Sequence, residues 1–228
     1  MAQVPVVRTP FTHREFARAL IIAWKRIVGT FPTKEASGII YAHYRLETGD
    51  GGYCWNFNIG NQKCTEAMAS AGTPYMMLAN TWEIIGGKKL VFQPPSPVTW
   101  FRAFPSLDEG MTAHLSLLRN KRYASSWQSV EDGDPHEFAV ALKKAGYYTG
   151  LLSQYSALMA DGHRRWMASP AFDDAMADVL ATLESPTLPG LDDPTLDDDQ
   201  PVVRPPIDFP VRLYPDGPGN DDEPPDAA

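Results

Sequence analysis

This sequence has little cysteine and no spacing of cysteine and histidine that fits a zinc site. Only Cys54 and Cys64 occur among the 228 residues, so neither a Cys-x-x-Cys pair nor a Cys/His zinc motif is present. Two alternatives remain open for the two thiols. They form a disulfide that clamps the loop between them if the protein works in an oxidising place, or they stay separate and buried.

Long hydrophobic runs are also missing. No apolar stretch is long enough to span a bilayer, so we expect no membrane span. The N-terminal run MAQVPVVRTPF lacks the basic start and the unbroken apolar core of a signal peptide. We therefore expect synthesis in the cytoplasm. A role outside the cell would then require lysis, a dedicated secretion machine or delivery inside a particle.

The sequence lacks an excess of positive charge. It has 28 acidic and 20 basic residues and a net charge of −8, which argues against nucleic acid as a partner. Residues 185–228 hold eleven of the acidic residues, two arginines and eleven prolines. The first 184 residues keep 17 acidic and 18 basic side chains, so the body of the chain is nearly neutral.

This shift in composition predicts a folded domain over 1–184 and an acidic, Pro-rich tail over 185–228, extended or disordered. One part of the tail, 207–214, alternates apolar with other residues as a strand does. We interpret the tail as a solvated linker or, alternatively, as a carrier of a docking segment at 207–214 for this domain or for a protein partner.

The first 184 residues predict a mainly α domain with one small β-hairpin. Thr12 with Glu15, and Ser106 with Glu109, form capping boxes that begin helices. The predicted helices end near Val28, Gly49, Asn120 and Gly146, and two more lie near 151–160 and 170–183. The run TWEIIGGKKLVF predicts a hairpin in which Glu83 lies opposite Leu90 across a Gly-Gly turn. Residues 66–80 carry no clear pattern.

The helix that ends near Gly49 has a glutamate on its apolar face. At about 100° per residue, this face holds Ala36, Ile39, Ile40, His43, Leu46 and Glu47, and the opposite face holds Lys34, Gly38, Tyr41 and Arg45. Burial keeps a carboxylic acid protonated near neutral pH, which is what the general acid of glycoside hydrolysis requires. The pattern therefore predicts Glu47 as a general acid. It predicts His43 as a buried, hydrogen-bonded histidine rather than a catalytic one.

The run LETGDGGYCWNFNIGNQK resembles the active-site region of the bacterial N-acetylglucosaminidase family. These are peptidoglycan hydrolases of the flagellar-rod and autolysin type, within the lysozyme-like superfamily. Their pattern is a helix ending in LES or LET-G-x-G, followed by N-x-N-x-G-x-x-K. Three further segments agree in order, TWEIIGGKK, FRAFPSLDEGMTAHLSLL and AVALKKAGYYTGLLSQY, so the resemblance covers roughly residues 12–183.

The resemblance implies a lysozyme-like, mainly α (α+β) fold and hydrolysis of the β-1,4 bond after N-acetylglucosamine in peptidoglycan, with no metal and no cofactor. It places the general acid at Glu47, the second acid at Glu83 and the active-site tyrosine at Tyr147. The sequence departs from the family pattern at Gly150, where an aspartate is usual, and at Tyr148, where a small residue is usual.

Several further candidates carry two interpretations each. Asp50 is a rival to Glu83 or a turn residue that bonds its own backbone. The aromatic residues are sugar-stacking platforms or core residues, and the asparagines bind acetamido groups or shape the loop through Asx-type turns. The substrate-binding candidates are Trp55, Asn56, Asn58, Trp82 and Tyr148, with Phe57 as a further aromatic.

Two other functions fit the same motifs. The first is a muramidase or lytic transglycosylase that uses the same glutamate on the other glycosidic bond. The second is a non-catalytic structural or interaction protein of a phage particle or secretion machine, which the acidic tail motivates. The choice between inversion, retention and substrate assistance depends on the distance between the two carboxylates, which the sequence does not give.

Overall fold

The structure is a computed structural model that describes residues 3–78, 82–85 and 88–184. The predicted tail over 185–228, its docking segment at 207–214 and the Gly86–Gly87 turn lie outside the described residues. The helices are α1 His13–Val28, α2 Lys34–Thr48, α3 Glu66–Ser70, α4 Leu107–Arg119, α5 Trp127–Glu131, α6 Pro135–Lys144, α7 Leu152–Met167 and α8 Ala171–Glu184. The strands are β1 Tyr75–Met77, β2 Trp82–Ile85, β3 Lys88–Val91 and β4 Trp100–Arg102.

The prediction of a mainly α domain with a small β part is confirmed. Helix α1 begins at the expected capping box, in which the Thr12 hydroxyl accepts from the Glu15 amide and the Glu15 carboxylate accepts from the Thr12 amide. Helix α6 begins where Asp134 accepts from the amides of His136 and Glu137. Local side-chain caps thus fix where these helices begin.

Helix α2 is the central helix, and it is buried on both faces. Ten of its fifteen residues are buried, including Gly38 and Tyr41 on the face opposite Glu47. Helix α7 packs along that face, with the ring of Tyr41 stacked on Trp166 at a centroid distance of 4.4 Å. The helical periodicity correctly separated the face of Glu47 from the face of Tyr41. The face of Tyr41 is less apolar in sequence, but it is buried as well because α7 packs on it.

The chain between α3 and α4 forms two antiparallel sheets of two strands each. The β2–β3 pair sets Glu83 opposite Leu90, so the predicted hairpin register is confirmed. The β1–β4 pair was not predicted, because its strands have three residues each and fall in or beside sequence without a clear pattern. The β1–β4 sheet pairs the chain segment before the β2–β3 hairpin with the segment after it.

The N-terminal segment bonds both to β1 and to the glycine-rich loop over residues 49–63, and the two cysteines of this region are buried. The Val4 amide donates to the carbonyl of Tyr75, and the Thr9 amide donates to the carbonyl of Cys54. Cys54 and Cys64 are both buried as separate thiols, which corresponds to the second of the two alternatives. Burial raises the pKa of the Cys54 thiol to about 11.

The main core lies between α1, α2 and the helices that follow the sheets, and a smaller cluster forms around Cys64, Ala69 and Tyr75. In the part of the chain that is described, no helix combines the length and the apolar character needed to cross a membrane.

Candidate active site

Glu47 lies in the last turn of α2, and its side chain is only 4% exposed. The hydroxyl of Tyr155 donates to Oε1 of Glu47 over 3.5 Å, and Nε2 of His43 lies 3.4 Å from the same oxygen. The backbone carbonyl of Glu47 accepts a hydrogen bond from the side-chain amide of Asn61. Glu47 of α2 thus contacts both the glycine-rich loop, through Asn61, and helix α7, through Tyr155.

Burial decides the protonation of both Glu47 and His43. It raises the pKa of Glu47 to about 8, although the hydrogen bond from Tyr155 acts in the opposite direction. Burial also lowers the pKa of His43 to about 3. At neutral pH the carboxyl is therefore protonated and the imidazole is neutral, so their contact is not an ion pair.

His43 is enclosed by rings. Its ring centroid lies 5.0 Å from that of His114, 5.1 Å from Tyr147 and 5.3 Å from Phe138. It is buried, as predicted, but within the described residues none of the ring nitrogens of His43 and His114 has a hydrogen-bond partner. The expectation that His43 is hydrogen-bonded in the core is therefore wrong for this structure.

Tyr155 is a residue of the site that the sequence does not single out. It lies in the first turn of α7, is fully buried, and stacks on Tyr148 at a centroid distance of 3.7 Å with the rings nearly parallel. Burial, together with the neighbouring Glu47, raises the pKa of Tyr155 well above its usual value. The motif AVALKKAGYYTGLLSQY ends on Tyr155, but its contact with Glu47 spans 108 residues of chain and only the folded structure brings the two together.

Tyr147 and Tyr148 form the buried wall beside Glu47. The Tyr147 hydroxyl donates to the carbonyl of Gly60 over 3.4 Å, and its ring contacts His43. The Tyr148 hydroxyl donates to the carbonyl of Ala139 over 2.9 Å. Both side chains are nearly inaccessible, at 1% and 2% exposure. Tyr148 thus supports Tyr155 by stacking, and Tyr147 joins the glycine-rich loop to His43.

The side-chain amides of Asn56 and Asn58 hold the loop together. Asn58 is buried, donates to the carbonyls of Gln62 and Arg102, and accepts from the Gln62 amide. Asn56 accepts from the amide of Val7 and donates to the carbonyl of Pro5. These contacts correspond to the loop-shaping interpretation, and binding of acetamido groups by either residue stays a prediction.

Close packing against α4 fixes the position of this loop. A methyl group on Gly110 would come within 2.1 Å of the backbone oxygen of Phe57, and one on Gly60 within 2.2 Å of the His114 ring. The loop also contains non-glycine residues with positive φ, Asp50, Asn56, Phe57 and Asn61. The contact with α4 requires glycine at both positions, and it sets Asn61 where it bonds the end of α2.

The other two carboxylate candidates from the sequence are Asp50 and Glu83. Asp50 forms a two-pronged pair with Arg45, through contacts of 2.6 and 3.0 Å, which lowers the pKa of Asp50. Glu83 is placed on β2 by its backbone pairing alone, and Trp82 precedes it on the same strand. Trp55 is partly buried and forms a β-bridge with Arg8.

In the described ranges, no group of three or more histidine, cysteine, aspartate or glutamate side chains is arranged to hold a metal ion. The polar groups that the described site brings together are a buried carboxylic acid, a tyrosine hydroxyl and a neutral imidazole. Such an acid can release a proton to an oxygen atom that enters the site at neutral pH.

No family model and no curated protein match this chain. Two solved structures resemble it. One is the glycoside hydrolase domain of FlgJ from Salmonella typhimurium, with 23% identity and a TM-score of 0.47 over 76% of this chain and 99% of that one. The other is a peptidoglycan hydrolase mutant from Sphingomonas sp. A1, with 22% identity and a TM-score of 0.46 over 72% of this chain and 99% of that one.

Proposed function

We propose that this protein is a peptidoglycan hydrolase with a lysozyme-like catalytic domain, which cleaves the β-1,4 bond after N-acetylglucosamine with Glu47 as general acid. The observation that carries the proposal is the buried carboxyl of Glu47, which stays protonated at neutral pH at the end of a helix. The sequence motifs around Glu47 supply the substrate class and the bond. The site of action that we propose is the cell wall or periplasm.

In the proposed reaction, the proton of Glu47 passes to the glycosidic oxygen while the bond from that oxygen to the anomeric carbon breaks. Positive charge then develops on the sugar ring, and a water molecule adds to the anomeric carbon and loses a proton to a carboxylate. Glu83 is our candidate for the second carboxylate, as a base or as a stabiliser of the positive charge. Tyr147 is proposed to orient the N-acetyl group or to stabilise the transition state, which requires its buried hydroxyl to leave the carbonyl of Gly60 when the substrate binds.

The first test is digestion of purified peptidoglycan by wild-type protein and by Glu47→Gln, with the products identified by mass spectrometry. Glutamine keeps the shape of the side chain but has no acidic proton. We expect fragments with N-acetylglucosamine at the reducing end from the wild type, and a loss of about 10²–10⁴-fold in rate for the variant. Glu137→Gln, an exposed glutamate on α6, is the matched control and should leave the rate unchanged.

The same products separate the alternative functions. Reducing-end N-acetylmuramic acid would indicate a muramidase, and an anhydro product would indicate a lytic transglycosylase. Absence of any product between pH 4 and 9, with and without residues 185–228, would contradict the hydrolase proposal and favour the structural or interaction protein.

A pair of variants tests the second carboxylate. We expect Glu83→Gln to lower the hydrolysis rate strongly, because it removes the group that activates water or balances positive charge. Asp50→Asn should retain most of the activity, because Asp50 is already held by Arg45. The reverse result would assign the second role to Asp50.

A further inference from the structure

We propose that His43 is a positioning residue that donates a hydrogen bond from Nε2 to Oε1 of Glu47, so that Oε2 carries the proton that is transferred. This inference rests on the proposed function of Glu47 and deepens it. It gives a role to a buried imidazole that is otherwise without hydrogen bonds in the described residues.

The geometry around the carboxyl indicates which oxygen carries the proton. Both neighbouring polar groups approach Oε1, the Tyr155 hydroxyl at 3.5 Å and Nε2 of His43 at 3.4 Å. In a protonated carboxyl, one oxygen donates its O–H and the other is the better acceptor. If Nε2 of His43 carries the imidazole proton, Oε1 has two donors beside it and is the acceptor, which leaves the acidic proton on Oε2.

The proposal requires the tautomer of His43 that carries its proton on Nε2. The 3.4 Å separation is long for a hydrogen bond. Catalytic hydrogen bonds are commonly longer without substrate and shorten when the substrate is bound. Because both residues are on α2, one turn apart, a small rotation of either side chain closes this gap.

The surroundings of His43 keep it neutral, which the role demands. The titratable groups that face the pair are His114 from α4, Tyr147 from the turn after α6 and Tyr155 from α7. Burial holds the pKa of both histidines low, and each would oppose a charge on the other. An imidazolium at position 43 would favour the ionised form of Glu47 before the reaction. A neutral imidazole leaves Glu47 protonated, and its N–H then stabilises the negative charge that develops on the carboxyl as Glu47 gives up its proton.

The test compares His43→Leu, His43→Gln and His43→Asn with the wild type in the full chain. The measurements are kcat and KM on soluble peptidoglycan glycan strands from pH 5 to 10. We expect His43→Leu to lower kcat about tenfold to a hundredfold with little change in KM. Its alkaline limb should move to higher pH, because a carboxylate that loses a donor gains a higher pKa.

Rescue by a donor of similar reach separates positioning from mere packing. Glutamine can present an N–H near the place of Nε2, so His43→Gln should recover most of kcat and return the alkaline limb towards the wild type. Asparagine is shorter, so His43→Asn should not. Equal kcat values for His43→Gln and His43→Asn would overturn the proposal. This comparison does not need His43→Leu, so it applies even if that variant does not fold. His136→Gln, an exposed histidine on α6, is the control.

A titration that does not depend on catalysis distinguishes failure of this inference from failure of the proposed function. The pKa of the Glu47 carboxyl is followed by carbon NMR in the wild type and in His43→Gln, His43→Asn and His43→Leu. A higher pKa in His43→Leu and His43→Asn than in the wild type supports donation from Nε2. An unchanged or lower pKa overturns it, whether or not the protein cleaves glycan.

Discussion

At the scale of residues, the buried carboxyl of Glu47 lowers the stability of the fold at alkaline pH, while its burial keeps the proton that the proposed reaction uses. Its carboxyl keeps its proton in the folded protein up to a pKa of about 8, whereas a glutamate in an unfolded chain has its ordinary value of 4.5. The contribution of this carboxyl to the free energy of unfolding is thus fully present below pH 4.5, and it is lost as the pH rises towards 8.

We predict from this that Glu47→Gln is more stable than the wild type at alkaline pH. Glutamine cannot ionise, so at pH 9 the free energy of unfolding of the variant should exceed that of the wild type by about 3–5 kcal/mol. The difference should shrink as the pH falls towards 4. Urea denaturation at both pH values measures it. A gain that is independent of pH would contradict burial of an ionisable carboxyl, and Glu137→Gln should show no gain.

A second prediction at this scale concerns Tyr155, whose hydroxyl donates to Glu47. Tyr155→Phe removes the donor and keeps the stacked ring, so kcat should fall about tenfold to a hundredfold with KM nearly constant. The alkaline limb of the pH profile should move upward, because the hydroxyl lowers the pKa of Glu47.

The matched control is Tyr41→Phe, on the opposite face of α2. It loses only the contact of its hydroxyl with Nε2 of His13, at 2.9 Å, so it should change stability by about 1 kcal/mol. Its pH profile should match that of the wild type. Equal profiles for Tyr155→Phe and the wild type would remove Tyr155 from the site.

At the scale of elements, the decisive contact is that between α4 and the loop from Gly49 to Lys63. We predict that Gly110→Ala destabilises the domain by about 3 kcal/mol or more, because the added methyl would lie 2.1 Å from the Phe57 carbonyl oxygen. The glycan hydrolysis rate should fall as well, since the same loop bonds the carbonyl of Glu47 through Asn61. Thermal unfolding and a digestion assay measure the two effects.

Gly72→Ala provides the comparison. A methyl group there meets no atom within 4 Å, and only the positive φ of 96° opposes it. We expect a cost of about 1–2 kcal/mol and no effect on hydrolysis. A smaller loss for Gly110→Ala than for Gly72→Ala would mean that the loop moves away from α4 without penalty.

At the scale of the whole molecule, we predict that residues 1–184 fold without the acidic tail. Every buried apolar residue of the described structure lies between Phe16 and Val179. Deletion of 185–228 should therefore leave the midpoint of thermal unfolding unchanged. Calorimetry of the full and shortened chains tests this, and a lower midpoint for the shortened chain would show that the tail docks on the domain.

The same pair of proteins tests whether the tail restrains activity, a hypothesis that its net charge of −9 motivates. If the tail covers the cleft, the shortened chain should digest peptidoglycan faster, and added salt should raise the rate of the full chain by screening. Equal rates at low and high salt would contradict this hypothesis.

The sequence by itself determined those features that depend on neighbours in the chain. The capping residues Thr12 and Asp134 fix where helices begin, and the pairing of Glu83 with Leu90 was predicted from the position of the Gly-Gly pair in the sequence. The helical period likewise placed Glu47 on the apolar face of α2. These are short-range effects, because each depends on residues a few positions apart.

Only the tertiary structure decided what faces Glu47. Tyr155 contacts Glu47 and His114 contacts the neighbouring His43, and both come from helices that are distant in sequence. The burial of Gly38 and Tyr41 follows from the packing of α7 on α2. The short β1–β4 pair forms because the folded chain brings its two strands together. Periodicity specifies which face of a helix is apolar, but the groups that surround a buried carboxyl, and hence its pKa, depend on how distant segments pack.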